Sequence, residues 1–184
     1  MNKLSILQKG FTAMVLLAGI QTVAQAGTLM GSVGNDALNF NVDQNIIGPL
    51  FVDASYMHNY RNDNDLATAG AHLDAGLGPI GAMLGVKYFY ANVSGQDGHG
   101  IAPGVGVSFS PLPLITFSGK YYYSNPDYSE GDIDHYRDWS ATANFHPLKF
   151  TNFFVGYGEQ VIDTKKTGNI KVYDGVFGGV SVSF

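Results

Sequence analysis

From residue 27 onward the chain alternates apolar positions with polar or small ones at a period of two. The clearest run is 80–91, in which Ile80, Leu84, Val86 and Tyr88 alternate with small or charged residues. Successive side chains of a β-strand point to opposite faces, so this pattern predicts a strand with one continuous apolar face. The same alternation recurs at 38–43, 69–76, 101–109, 138–146 and 176–184. The chain is therefore predicted to be all-β.

The segments between these runs differ in length. Tight breaks with proline at 78–79, 111–113 and 146–147 are separated by longer polar segments at 61–65, 94–98, 125–134 and 163–169. Short turns at one end and long polar loops at the other are typical of bacterial outer-membrane barrels, in which the long loops face outward.

Counting back from Phe184 predicts eight strands that begin near Pro49. Two further strands at 28–33 and 37–43 flank a turn at 34–36 and bring the count to ten. We therefore predict a small transmembrane antiparallel up-and-down β-barrel of ten strands. The alternatives are an eight-stranded barrel, in which the first segment is a periplasmic tail or a lumen plug, and a soluble sandwich or lipocalin-like barrel.

Aromatic residues near the predicted strand ends favour the membrane barrel over the soluble one, because such barrels carry aromatic girdles at both interfaces. Tyr136 falls among them. The predicted interface aromatics are Tyr56, Tyr60, Tyr88, Tyr90, Tyr121, Tyr123, Trp139 and Tyr157.

The last residues resemble the terminal signal by which outer-membrane barrels are recognised for insertion. Phe184 is an aromatic at the final position, Val182 and Val180 precede it at alternate positions, and Gly179 lies five residues before it.

Residues 1–26 are predicted to be a cleaved signal peptide. Lys3 and Lys9 precede or flank a short apolar run at 11–20, and 24–26 (AQA) provides a small-x-small cleavage site. The remaining 27–184 is interpreted as a single barrel domain. The full chain has a formal charge of −5 and no cysteine. Without clustered Lys and Arg, no nucleic-acid partner is expected.

The inward faces hold the candidate functional residues. Because unpaired charges inside a narrow barrel are costly, Lys87 and Lys120 are expected to pair with Asp53, Asp74 or Asp138. A structural network is favoured over an ion pathway. The predicted charged and polar lumen positions are Asp43, Asp53, His72, Asp74, Lys87, Lys120, Asp138 and His146.

Eight or ten strands enclose a lumen that side chains largely fill, so no general diffusion pore is expected. The many inward glycines leave a thin polar passage, serve strong curvature of the strands or receive large neighbours such as Phe89, Tyr122 and Phe177. All three interpretations stay open at this point.

Catalytic and metal sites have little support. His58 with Asp63 or Asp65, and His99 with Asp97, are local groupings without a recognisable motif, and Ser124 and Ser129 lie in or beside a loop. The oxygen-rich segments 62–65 and 127–134 lack the EF-hand pattern. No enzyme activity, cofactor or metal is expected.

Four segments carry a family resemblance: 58–65 (HNYRNDND), 78–92 (GPIGAMLGVKYFYAN), 119–127 (GKYYYSNPD) and 179–184 (GVSVSF). With them the chain resembles the YfaZ family of outer-membrane proteins. The resemblance implies an outer-membrane β-barrel with no established catalytic activity.

The first functional hypothesis is a structural or surface-interaction barrel with a filled, charged lumen. The alternatives are a narrow channel for ions or very small solutes and a rim enzyme that hydrolyses lipid or peptide. The expected location is the bacterial outer membrane. The expected partners are its lipid and lipopolysaccharide and, during insertion, the barrel-assembly machinery; the chain is expected to be a monomer.

Overall fold

The structure is a computed structural model and describes residues 26–184. The predicted signal peptide lies outside the described residues, apart from Ala26. Within the described part, long strands form the wall of a barrel, and a 3-10 helix at Pro126–Tyr128 and a short strand lie in one hairpin. The strands are β1 (Gly27–Gly34), β2 (Ala37–Ile47), β3 (Leu50–Asn59), β4 (Asn64–Leu77), β5 (Ile80–Val93), β6 (Gln96–Leu112), β7 (Ile115–Ser124), the short β8 (Ser129–Gly131), β9 (Ile133–Leu148), β10 (Thr151–Thr164) and β11 (Gly168–Ser183).

The wall contains ten antiparallel strands, since β8 only extends the edge of β6. Each wall strand pairs with its sequence neighbours, and β1 pairs with both β2 and β11. Gly27 and Phe184 exchange two backbone hydrogen bonds of 2.9 Å, which completes the closure. The prediction of ten strands is confirmed. The eight-strand alternative is wrong, because the first two segments are paired along their length and form part of the wall.

The hairpins confirm the asymmetry between the two ends of the barrel but not the predicted loop lengths. At the end that holds Gly27 and Phe184, the turns at 48–49, 78–79, 113–114 and 149–150 have two residues each. At the other end the ladders continue through most of the segments predicted as loops. The predicted loop 94–98 shrinks to a two-residue turn, and only 125–132 remains long. The strands extend because pairing satisfies the backbone N–H and C=O groups of these segments, even though their side chains are polar.

The apolar face of each strand points away from the barrel axis. Leu84, Val105 and Val107 are exposed by 63%, 54% and 66%. A continuous apolar surface made of such exposed side chains indicates contact with lipid. The soluble alternative, which requires these side chains to point inward, is wrong. Among the residues described, no helix has both the length and the apolar character needed to cross a membrane.

Glycines on the inner wall lie under large aromatic side chains. A Cβ atom at Gly104 would lie 2.2 Å from the ring of Tyr122, and one at Gly156 would lie 2.7 Å from the ring of Phe177. Phe89 covers Gly100 in the same way. Of the interpretations of the inward glycines, the contacts at these three positions favour the one in which the glycines receive large neighbours.

Candidate functional site

A carboxylate–imidazole cluster lies in the half of the lumen near the short turns. Asp43 on β2 is directly opposite Asp53 on β3, so two carboxylates lie beside each other on adjacent strands. His72, which is buried on β4, lies between them. Its Nδ1 is 3.3 Å from Asp53 Oδ2 and its Nε2 is 3.5 Å from Asp43 Oδ2. The imidazole therefore bridges two carboxylates that would otherwise repel each other. Phe51 stacks on the His72 ring at a centroid distance of 5.3 Å and holds its orientation.

A second cluster surrounds an ion pair that crosses the lumen. Lys87 Nζ on β5 donates to Asp138 Oδ2 on β9 at 2.8 Å, and the two strands are not neighbours in the wall. Tyr136 Oη donates to the same carboxylate oxygen at 3.1 Å, and Gln160 Nε2 donates to the other at 3.3 Å. The Lys87 ammonium lies 4.0 Å from the centre of the Tyr122 ring. Three donors and one cation–π contact thus compensate the desolvation of the pair.

The remaining predicted lumen residues are less tightly held. Asp74 lies 3.9 Å from His72 at the margin of the first cluster. Lys120 lines the lumen and is solvent-exposed, and among the described residues it forms no hydrogen bond or ion pair within 4 Å. His146 is half-buried near the end of β9 and joins neither cluster. Of the expected lysine pairings, the one between Lys87 and Asp138 is present, and the one expected for Lys120 is not formed.

An apolar plug fills the other half of the lumen, toward the longer hairpins. We use "the plug" for Leu66, Phe89, Ile133, Tyr136 and Ile162, each of which is at most 1% exposed. Phe89 and Tyr136 stack at a centroid distance of 4.4 Å. Tyr136, predicted among the outer aromatics, therefore lies inside the barrel. The plug is not evident from the alternation along the chain, because Leu66, Ile133 and Ile162 lie next to or within segments predicted to be polar loops.

A cavity of about 280 Å³ lies in the lumen against both clusters, with a lining of polar and apolar side chains. Amide and hydroxyl side chains line it, among them Asn39, Asn41, Ser118 and Thr142. The Oδ1 atoms of Asn39 and Asn41 are buried without a protein hydrogen-bond partner in the described part of the chain. The cavity thus offers acceptors to water or to a small polar solute.

Most of the predicted interface aromatics lie on the outer wall toward the longer hairpins. Tyr56 and Trp139 are only partly exposed, because Tyr56 donates to Asp65 and Trp139 donates to Glu159. Tyr60 lies in the hairpin after β3. Those that are at least 40% exposed are Tyr60, Tyr88, Tyr90, Tyr121, Tyr123 and Tyr157.

The residues of the predicted insertion signal divide between the two faces of β11. Val180, Val182 and Phe184 are 40%, 46% and 51% exposed on the lipid side. Gly179 faces inward, where a Cβ atom would meet the Gly31 carbonyl oxygen and the Phe154 ring.

The residues considered for rim catalysis do not form a nucleophile with a base. His58 Nδ1 is 2.9 Å from Asp65 Oδ1, and the third group at that carboxylate is the Tyr56 hydroxyl. Ser124 and Ser129 are buried and bond to each other at 3.0 Å. His99 faces Glu130 at 3.4 Å. Within residues 26–184, no group of three His, Cys, Asp or Glu side chains has the arrangement of a metal site.

Comparison with known proteins gives one family and one fold. The family model described as "YfaZ precursor" matches residues 5–184. The chain is 30% identical over 179 residues to "Outer membrane protein YfaZ" of Escherichia coli (strain K12), which covers 94% of this chain and 98% of that protein.

Solved structures match at much lower identity and therefore inform the fold alone. The KdgM porin is 7% identical with a TM-score of 0.51, and the match covers 86% of this chain and 99% of that one. The outer membrane channel DcaP of Acinetobacter baumannii is 14% identical with a TM-score of 0.47, over 89% of this chain. The chain spans 60% of the length of DcaP. The KdgM porin thus shares this barrel architecture.

Proposed function

The chain belongs to the YfaZ family of outer-membrane proteins, and from that premise we propose that it is a closed barrel that acts through its outer surfaces rather than as a pore. The observation that carries the proposal is the plug. Its five side chains come from β4, β5, β9 and β10, so they meet from different sides of the lumen. A solute that crossed the barrel would have to displace them.

The energetic cost of opening supports a closed resting state. Phe89 and Tyr136 are both fully buried and stack on each other, and fully burying a large apolar side chain contributes about 1.5–3 kcal/mol. Tyr136 also donates to Asp138, which ties the plug to the ion pair below it. Displacing this ring therefore breaks an aromatic contact and a hydrogen bond together.

Closure of the sheet also bears on assembly state. All ten wall strands are paired on both sides, so no strand edge is left to pair with a second copy. We propose that the chain is a monomer in the membrane, with lipid and lipopolysaccharide around its wall. No catalytic role is part of this proposal.

Planar-bilayer conductance tests the closed state. We expect the refolded wild-type protein to give no current steps, and the double variant Phe89→Ala/Tyr136→Ala to give discrete steps, because it empties the centre of the plug. Tyr123→Ala, which removes an exposed aromatic from the outer wall, is the matched control and is expected to stay silent. Heat-modifiable migration on gels verifies that each variant is folded. Stepwise currents from the wild type would refute the proposal.

A narrow channel is the second candidate, and the exposed Lys120 side chain at the lumen cavity is the observation that favours it. In that case the wild type conducts, and Lys120→Ala shifts its selectivity away from anions. In a closed barrel the same substitution changes no current, because no ion passes it.

A further inference from the structure

A charged cluster lies on the outer face of β9, β10 and β11, toward the longer hairpins. We call Arg137, Glu159, Lys171 and Asp174 the outer cluster. Arg137 Nη2 donates to Glu159 Oε2 at 3.1 Å, and Lys171 Nζ lies 3.4 Å from Glu159 Oε1. Lys171 Nζ also donates to Asp174 Oδ2 at 2.5 Å. Two cations from different strands thus converge on one carboxylate.

The carboxylate at the centre is held in place, whereas the cations reach outward. The Glu159 side chain is 15% exposed and also accepts a hydrogen bond from Trp139 Nε1 at 3.1 Å. The side chains of Arg137 and Lys171 are 44% and 54% exposed. A guanidinium has five N–H donors, and the contact with Glu159 occupies one of the guanidinium nitrogens of Arg137. Both cations therefore retain surface that faces away from the barrel.

The neighbouring aromatics set the depth of the outer cluster. Trp139 is opposite Glu159 in the register, and Tyr157 on the same strand donates to Asp174 at 2.5 Å. Trp and Tyr with a polar atom toward water lie at the boundary between lipid and water. Charges on a lipid-facing wall are tolerated at this boundary, whereas they cost about 2–4 kcal/mol at the midplane. The cluster therefore faces lipid headgroups.

Two further lysines lie at this end of the same strands. Lys165 and Lys166 are in the hairpin between β10 and β11. Lys166 pairs with Asp132, and Lys165 donates to a backbone carbonyl. The cations at this end are thus held by ion pairs or hydrogen bonds, and the side chain of Lys166 is 68% exposed.

We propose that Arg137 and Lys171 bind a phosphate of an outer-leaflet lipopolysaccharide. Phosphate suits the site because a guanidinium and an ammonium that share one carboxylate can donate to different oxygens of one phosphate. Glu159 acts as a positioning residue, since it holds both cations but its own carboxylate repels the phosphate. The proposal rests on the outer-membrane location of the family and is independent of whether the lumen conducts.

The test measures the affinity of the refolded protein for lipopolysaccharide in phosphatidylcholine vesicles. We expect wild-type protein to bind phosphorylated lipopolysaccharide at least tenfold more tightly than the enzymatically dephosphorylated lipid. Arg137→Gln/Lys171→Gln should remove that preference, and Arg137→Lys should retain part of it. The control Arg61→Gln/Lys149→Gln removes the same charge from other sites of the surface and should bind as wild type does.

Two results would overturn the proposal. One is equal binding of the phosphorylated and dephosphorylated lipids by the wild type, and the other is an unchanged preference in Arg137→Gln/Lys171→Gln. Inorganic phosphate at millimolar concentration serves as a separate arm. If it displaces lipopolysaccharide completely, the site binds small anions and has no preference for the lipid. Conductance measured on the same preparations tests the closed-barrel proposal separately, so a failure of the phosphate-site proposal can be distinguished from a failure of the closed barrel.

Discussion

Removing the charge of Asp138 tests whether the lumen clusters behave as a protein interior or as a water-filled channel. Asp138→Asn keeps the shape of the side chain and one acceptor oxygen, but it leaves Lys87 without its counter-ion. The two side chains are 11% and 12% exposed, and the Nζ–Oδ2 distance is 2.8 Å. Breaking a buried pair by changing one partner costs about 3–5 kcal/mol, whereas an exposed pair contributes at most about 1 kcal/mol.

We expect Asp138→Asn to lower the free energy of unfolding by about 3 kcal/mol, the lower part of the buried range, because the cavity next to the pair admits water. Lys87→Met should cost less, since Tyr136 and Gln160 still donate to the carboxylate. The double variant should cost about 2 kcal/mol less than the sum of the two single changes, because neither charge is then left alone.

The assay is reversible urea unfolding of the barrel in lipid vesicles, followed by tryptophan fluorescence. Asp132→Asn is the matched control, because Asp132 pairs with Lys166 on the surface, where the two side chains are 32% and 68% exposed. We expect a change below about 1 kcal/mol for this control. If Asp138→Asn proves as mild as Asp132→Asn, the lumen screens charges as bulk water does, and the argument for a closed interior loses its energetic basis.

Three further substitutions probe the wall. Gly104→Ala should lower the free energy of unfolding by about 1–3 kcal/mol in the same assay, because the new Cβ atom would lie 2.2 Å from the Tyr122 ring. Gly119→Ala is the control and should cost less, because the nearest atom to its Cβ would be 3.7 Å away. Leu84 is 63% exposed and is expected near the membrane midplane, so Leu84→Arg should lower the free energy of unfolding by about 2–4 kcal/mol. Leu77→Arg, at the end of β4, should lower it by only about 0–1 kcal/mol. Equal costs would contradict the depth assigned to these two residues. Phe184→Ala should reduce the amount of folded protein in the outer membrane of cells, while Phe184→Tyr should preserve it, as quantified by heat-modifiable gel migration.

The wall of the barrel could be predicted from the sequence because its period is local. Each strand carries its own alternation, so Leu84 and Val105 were assigned to the lipid face without knowledge of their neighbours, and both are exposed. The count of ten required only that the turn at 34–36 be recognised between two short segments. The extent of the ladders beyond the membrane was not predictable in this way, because polar residues in a paired strand resemble polar residues in a loop.

The interior was less predictable, because it depends on contacts across the lumen. Lys87 and Asp138 are 51 residues apart and lie on strands that do not pair. The alternation along each strand predicts that both side chains point into the lumen, but it does not show that they contact each other. The plug was missed for a second reason. A bulge between Gln160 and Val161 shifts the register of β10 against β11, so adjacent residues Val161 and Ile162 are both buried, which the strict alternation does not indicate.

The two halves of the lumen are joined by Tyr136, and this link supports the proposal of a closed barrel. Its ring stacks on Phe89 within the plug, and its hydroxyl donates to Asp138, which holds Lys87 across the lumen. Displacing this ring would leave the carboxylate with fewer donors at the same time as it opened an apolar void. Both changes are unfavourable, so moving the Tyr136 ring costs more than losing either contact alone. If the closed-barrel proposal holds, interactions fall to the outer wall and the hairpins, and that is where the outer cluster lies.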